Sequence, residues 1–210
     1  MRNILLIAFF SVNFNTVWPQ SNQAFLASYQ TTTLDKNSSG IGKTFLNNIK
    51  YTFYTDELVC FLEKVEVIHF PNLNATNTGE DKIYINYKNA SMYHDLEGRK
   101  AYGFEEMKFE KVDSGEKILG YETNKYKSGD GNIILYTTSE LPWYIQPCSI
   151  TANLFNEAII KLVNLKSKYQ LELIDYVEID PTEEHRGTRK KILNKKTTFK
   201  KMSIRSPFMQ

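Results

Sequence analysis

Hydrophobic and polar side chains alternate along much of this chain. In YQLELIDYVEID, Tyr169, Leu171, Leu173, Val177 and Ile179 fall on one parity, while Gln170, Glu172, Glu178 and Asp180 fall on the other. A period of two places these sets on opposite faces of a half-buried antiparallel strand. NEAIIKLVN upstream has a short apolar centre of Ile159, Ile160, Leu162 and Val163, and the polar NLKSK after it reads as a hairpin connection. IKYTFYT, LEKVEVIHF, DKIYINY, YGFEEMKFEKV, EKILGYETNKYK and NIILYTT are further strand candidates. Between them NLNATNTGED, LEGR, VDSGE and KSGDGN supply turn residues, at intervals near the roughly 8 to 12 residues of sheet proteins. Nothing alternates with long helical patterns, which argues against a parallel nucleotide-binding sheet. The pattern predicts a mainly β domain over residues 25–182. It would be a single curved antiparallel sheet, either a half-barrel or an open barrel, with few short helices.

The two ends differ from this middle. Behind Met1 and Arg2, the apolar run ILLIAFFSV from Ile4 to Val12 suits the core of a secretory signal better than a membrane span of about 20 residues. Residues 1–20 are read as a signal peptide with its boundary between residues 16 and 24. The alternative is a buried first strand. The expected location is extracytoplasmic, periplasmic or secreted, with no transmembrane span after signal removal. From Glu184 onward the strand period fades into EHRGTRKKILNKKTTFKKMSIRSPFMQ. Residues 183–210 are read as a basic C-terminal tail or an edge strand whose lysines discourage sheet-to-sheet pairing.

Composition narrows the partners. The 210 residues carry 26 Lys+Arg against 24 Asp+Glu, a net +2, too balanced to require nucleic acid. With 41% hydrophobic residues the chain is long enough for one domain with a full core. The 13 Tyr and 13 Phe are types favoured on pleated, half-buried surfaces. Cys60 and Cys148 are a candidate disulfide; it would close a loop of about ninety residues and contribute at most ~4 to 5 kcal/mol. Two buried thiols are the other reading.

Candidate chemistry is sparse. NSSGIGKT, Asn37 to Thr44, imitates a phosphate-binding loop through Gly42, Lys43 and Thr44, but Asn37 stands where that loop needs glycine. It is read as a solvated turn before the strand around Tyr51. His69, His94 and His185 lack partners at the spacings of metal-ligand pairs. Glu105/Glu106 and Glu183/Glu184 are sequence neighbours, which on a strand point to opposite faces and form no acid/base dyad. Neither a nucleophile elbow nor a Cys-x-x-Cys redox motif occurs. The expectation is a protein without catalytic centre, metal or cofactor.

The aromatic segment YTTSELPWYIQPC is the most informative candidate site. Pro142 and Pro147 bracket Trp143, Tyr144 and Ile145, so the segment leaves the hydrogen-bonded ladder and carries large apolar groups to the sheet rim. Tyr136, Leu141, Trp143, Tyr144 and Ile145 are the candidate ligand-lining residues. The competing reading is a Trp-Tyr plug that caps the core.

The order of motifs in this half also resembles the GLPGLI family of exported bacterial envelope proteins. Lys117, Ile118, Gly120 and Tyr121 correspond to its Lys-x-Ile-x-Gly-Tyr element, with Lys117 directly before Ile118, and Tyr136, Thr137, Leu141 and Pro142 correspond to the following Trp/Tyr-Tyr-Thr-x-x-Ile/Leu-Pro segment, with one more residue before Leu141. The resemblance covers roughly residues 80–180, and QPCSITANLFNEAII stands in place of the name-giving motif. It implies an architecture similar to periplasmic lipoprotein carriers (LolA-like), a curved sheet able to hold acyl chains. The function so implied is binding of a lipid or other apolar or amphipathic small molecule in the sheet's cavity. The alternative is a non-catalytic structural or interaction protein that holds an envelope protein partner through its sheet face or basic tail.

Overall fold

A computed structural model describes residues 23–35, 47, 49–67, 82–97, 102–104, 107–147, 156–196 and 202–204. Residues 1–20, read as a signal peptide, and NSSGIGKT, His69 and Cys148 lie outside the described residues. The strands are β1 (Ala24–Thr33), β2 (Ile49–Thr55), β3 (Val59–Val67), β4 (Tyr84–Asn86), β5 (Ser91–Tyr93) and β6 (Tyr102–Phe104). They continue with β7 (Phe109–Ser114), β8 (Asn124–Ser128), β9 (Ile133–Thr138), β10 (Ala158–Asn164), β11 (Tyr169–Ile179) and β12 (Met202–Ile204). One sheet holds them in the order β12-β6-β5-β4-β3-β2-β1-β11-β10-β9-β8-β7. The pairings are antiparallel except β12 on β6, which is parallel. This is the mainly β, single-sheet architecture that the alternation predicts, and the sheet is open because its end strands β12 and β7 do not pair.

Alternation sorts apolar residues onto two faces. The inner face carries the large cluster, including Ala27, Tyr29, Phe53, Cys60, Ile85, Met92, Leu135, Leu162 and Leu171. The outer face carries a smaller one built on Ala24, Tyr54, Val59, Phe61 and Ile192. Register shifts interrupt the ladders at Ser28/Tyr29, Thr52/Phe53, Lys111/Asp113 and Ile159/Lys161. Each leaves an extra residue on one strand, which bends it and increases local twist. That curvature lets inner-face side chains reach across the sheet: the Tyr29 hydroxyl donates to the Ile159 carbonyl at 2.8 Å although β11 lies between their strands.

Four local expectations change. β1 is a central strand that the period-two reading does not single out; its Phe25, Ala27 and Tyr29 face the inner cluster while Ala24 and Leu26 face the outer one, so it does not alternate apolar with polar. YGFEEMKFEKV divides into β6 and β7, which lie in opposite halves of the sheet, β6 next to the end strand β12 and β7 at the other end. On β11, Leu173 pairs with Tyr29 but Asp175 with Ser28, so Ile174 is the extra residue of a bulge. Tyr176 therefore packs against the inner cluster while Val177 is 50% exposed and Ile179 packs on the outer one. The shared face expected for Tyr169 through Ile179 is thus broken in mid-strand.

The fourth change is at the C-terminal side. Residues 183–194, read as part of a tail or edge strand, form helix α1 (Glu183–Asn194). Thr182 caps it, accepting from the His185 N-H, and His185 Nδ1 accepts from the Thr182 N-H, so two end donors are satisfied. Glu183 and Glu184 in the first turn and Lys191 in the last complement the helix dipole. His185, Arg189 and Ile192 follow one stripe at helical spacing. His185 Nε2 meets both oxygens of Glu63 at 3.0 and 2.9 Å, Arg189 Nε donates to Asp56 at 2.8 Å, and Ile192 is fully buried. β12 takes an edge position on β6.

Candidate functional site

The turn between β2 and β3 begins the site. Asp56 is 5% exposed, and its Oδ1 accepts from the Leu58 and Val59 N-H groups at 2.7 and 2.9 Å. Its Oδ2 accepts from the Tyr54 hydroxyl at 3.2 Å and from Arg189. These bonds shape the turn locally, present Glu57 and Leu58 outward, and bring α1 beside them. A 3-10 turn, Tyr87–Asn89, follows β4, with Ala90 in the left-handed region at φ 47°. The Tyr87 N-H donates to the Leu58 carbonyl at 2.9 Å, locking this turn to the β2–β3 turn.

Residues 141–147 complete the wall. The Ile145 N-H donates to the Pro142 carbonyl at 2.9 Å, closing a tight turn, and the Ile159 N-H donates to the Ile145 carbonyl at 3.0 Å. Thr55 Oγ1 donates to the Tyr144 carbonyl at 2.6 Å. The Tyr144 ring lies 5.9 Å from Phe25, so this segment crosses the inner face and closes on both halves of the sheet. Trp143 meets Tyr87 at 5.3 Å and 61° and Tyr144 at 5.6 Å and 85°, edge-to-face contacts that hold its ring.

A cleft of about 610 Å³ opens where these parts meet, lined by Glu57, Leu58, Tyr87, Lys88, Trp143, Leu193 and Asn194. This lies within the roughly 300–1,000 Å³ of small-molecule sites. Leu58, Trp143 and Leu193 are half-buried and apolar, while Lys88 and Asn194 are exposed.

Of the five candidate lining residues, Trp143 alone reaches this cleft. Leu141, Tyr144 and Ile145 are buried in the inner cluster, Ile145 completely. Tyr136 stands on β9 beneath the ammonium groups of Lys125 and Lys161, at 5.7 and 5.2 Å. Glu57 and Leu58, Lys88, and Leu193 and Asn194 come from three separate elements, and only the fold brings them to Trp143. Cys60 is buried on the inner face, and its candidate pairing with Cys148 involves a residue outside the described ones.

Two buried or half-buried groups elsewhere in the sheet have shifted acidities. Burial, reinforced by the Asp56 carboxylate, raises the Tyr54 hydroxyl well above its ordinary pKa. Burial opposes the charge on Lys161, but Glu116 at 2.5 Å and Glu172 at 3.3 Å outweigh it and raise the ammonium pKa. Among the described residues no group of three or more His, Cys, Asp or Glu could hold a metal ion, and no helix is long and apolar enough to cross a membrane.

No family model and no curated protein matches the sequence. Among solved structures the fold is similar to PNGF-II in space group C2, with a TM-score of 0.50 at 18% identity over 85% of this chain. The chain spans only 31% of that structure's length. PNGF-II in space group P21 gives a TM-score of 0.48 at 18% identity, covering 78% of this chain and 30% of the other. The likeness is one of fold.

The residues of the GLPGLI resemblance have structural places. Ile118 and Tyr121 form an isolated bridge around Leu119 and Gly120, at φ 52° and 90°. The Tyr121 and Tyr176 hydroxyls meet at 2.6 Å, tying that turn to β11.

Proposed function

We propose that this protein is a non-catalytic binder of an amphipathic small molecule, and that the molecule lies in the rim cleft around Trp143 rather than inside the curved sheet. The observation carrying this reading is the contrast between two apolar regions. The inner face is filled by its own side chains, with Tyr29, Phe53, Ile85, Met92, Leu135 and Ile145 at 0% exposure. The cleft leaves Leu58, Trp143 and Leu193 half-buried beside Glu57, Lys88 and Asn194. An apolar floor with a few polar groups at its edge matches small-molecule sites. His185 with Glu63, and Asp56 with Arg189, hold α1 in place instead of facing a substrate. The GLPGLI resemblance supports an exported protein of the bacterial envelope as the setting.

The test uses a Trp18→Phe chain, in which Trp143 is the single indole. An apolar anionic fluorophore such as anilinonaphthalene sulfonate should bind with micromolar affinity, about −8 kcal/mol, and quench Trp143 emission. Trp143→Ala should weaken binding at least about tenfold at a stability cost of about 1 to 2 kcal/mol, less than the ~3 kcal/mol or more of a fully buried aromatic. Loss of about 3 kcal/mol or more without any ligand signal would overturn the reading and leave Trp143 as a plug.

A further inference from the structure

Opposite charges line the cleft without meeting. Glu57 and Lys88 both face it, yet neither side chain forms an ion pair or hydrogen bond with another described residue. Elsewhere some such groups do pair: Lys64 with Glu66 at 2.6 Å, Lys117 with Glu122 at 3.1 Å, and Lys161 with Glu116 at 2.5 Å. The Asn194 side chain and the Trp143 indole N-H are likewise without a partner among the described residues. Four polar groups are therefore uncommitted around one apolar floor.

We infer that the cleft takes a zwitterionic ligand with an apolar part, a specification that rests on the binding reading above. Its cationic group lies toward Glu57 and its anionic group toward Lys88, while its apolar part covers Leu58, Leu193 and Trp143. Two further features favour a cation. Leu193 and Asn194 belong to the carboxyl end of α1, where the helix dipole is negative. The Trp143 ring presents a quadrupole that attracts positive charge. Lys88 alone supplies formal positive charge among the lining residues. A singly charged ligand would use one side of this arrangement and leave the opposite charge facing its apolar part. A neutral ligand would use neither. The same chemistry is carried by the headgroup of a phosphocholine lipid and by a free peptide with apolar side chains.

Isothermal titration with monomeric decylphosphocholine, decyltrimethylammonium, decanoate, decyl maltoside and the dipeptide leucyl-leucine tests this. The expected result is that a zwitterion, either the phosphocholine or the dipeptide, binds about tenfold or more tighter than the maltoside. Which of the two it is identifies the source. Glu57→Gln and Lys88→Gln should each weaken that zwitterion roughly threefold to fivefold, as expected for a solvent-facing charge pair. Glu57→Gln should leave decanoate no weaker, and Lys88→Gln should leave decyltrimethylammonium no weaker. Both positions are outside the core, so melting temperature should shift little. If decyl maltoside or either singly charged ligand binds as tightly as both zwitterions, or if neither substitution changes zwitterion affinity, the inference fails and the amphiphile reading stands. If no ligand of the set binds at millimolar concentration, both fail.

Discussion

Asp56 links two parts of the protein that lie far apart in sequence. Its two oxygens accept from Leu58 N, Val59 N, the Tyr54 hydroxyl and Arg189 Nε, the last 133 positions away. Removing a buried carboxylate with these donors strands all of them, so Asp56→Ala should cost about 3 kcal/mol in urea denaturation. Arg189 is more exposed, and Arg189→Met should cost only about 1 kcal/mol. Equal losses would mean that the ion pair, not the turn, is the main contribution. In the sequence the two residues have different legibility. The Asp of YTDELV has the chemistry of a turn residue, but nothing local ties it to a helix so far along the chain. Trp143 stands out because prolines flank its segment, whereas Glu57, Leu58, Lys88, Leu193 and Asn194 carry no shared signal before the sheet folds.

At the level of elements, period-two reading works where one face is apolar and the other polar, as in β2 from Ile49 to Phe53 and in β11 from Tyr169 to Leu173. β1 escapes it because both of its faces are covered. α1 escapes it for the opposite reason: two of its three docking residues, His185 and Arg189, are polar, so the helical stripe is invisible to a hydrophobic pattern. The Thr182-Glu183-Glu184 start was the available signal, an N-cap with acidic first turn. The β11 bulge has no sequence mark, and its consequence is testable. Val177→Thr should change stability by less than about 0.5 kcal/mol, as for an exposed site. Tyr176→Ala removes contacts to Phe25 and the bond to Tyr121, and should cost about 2 to 3 kcal/mol. Reversed magnitudes in the same denaturation assay would mean that the strand alternates without interruption.

Across the whole molecule, several groups make stability depend on alkaline pH. Burial pushes Tyr169 up to about 12 from 10.0, Tyr54 is raised further by burial and Asp56, and Lys161 is raised by Glu116 and Glu172 against its own burial. Each holds its proton more tightly when folded, so its contribution is complete below about pH 10 and is lost as pH rises through the folded value. Lys195, lowered by burial, acts in the opposite sense. The melting temperature should therefore fall from about pH 10 upward, and Tyr169→Phe should make that fall shallower.

The sheet's inner face is packed, and the proposed ligand would sit on its rim. Methyl NMR of isoleucine- and leucine-labelled protein titrated with decylphosphocholine addresses both halves at once. Leu58 and Leu193, which line the cleft, should shift with added ligand, while Leu135, Ile145, Leu162 and Leu171 on the inner face should stay in place. Shifts concentrated on those inner-face methyls, with Leu58 and Leu193 silent, would contradict the claim and return the ligand to the interior of the sheet.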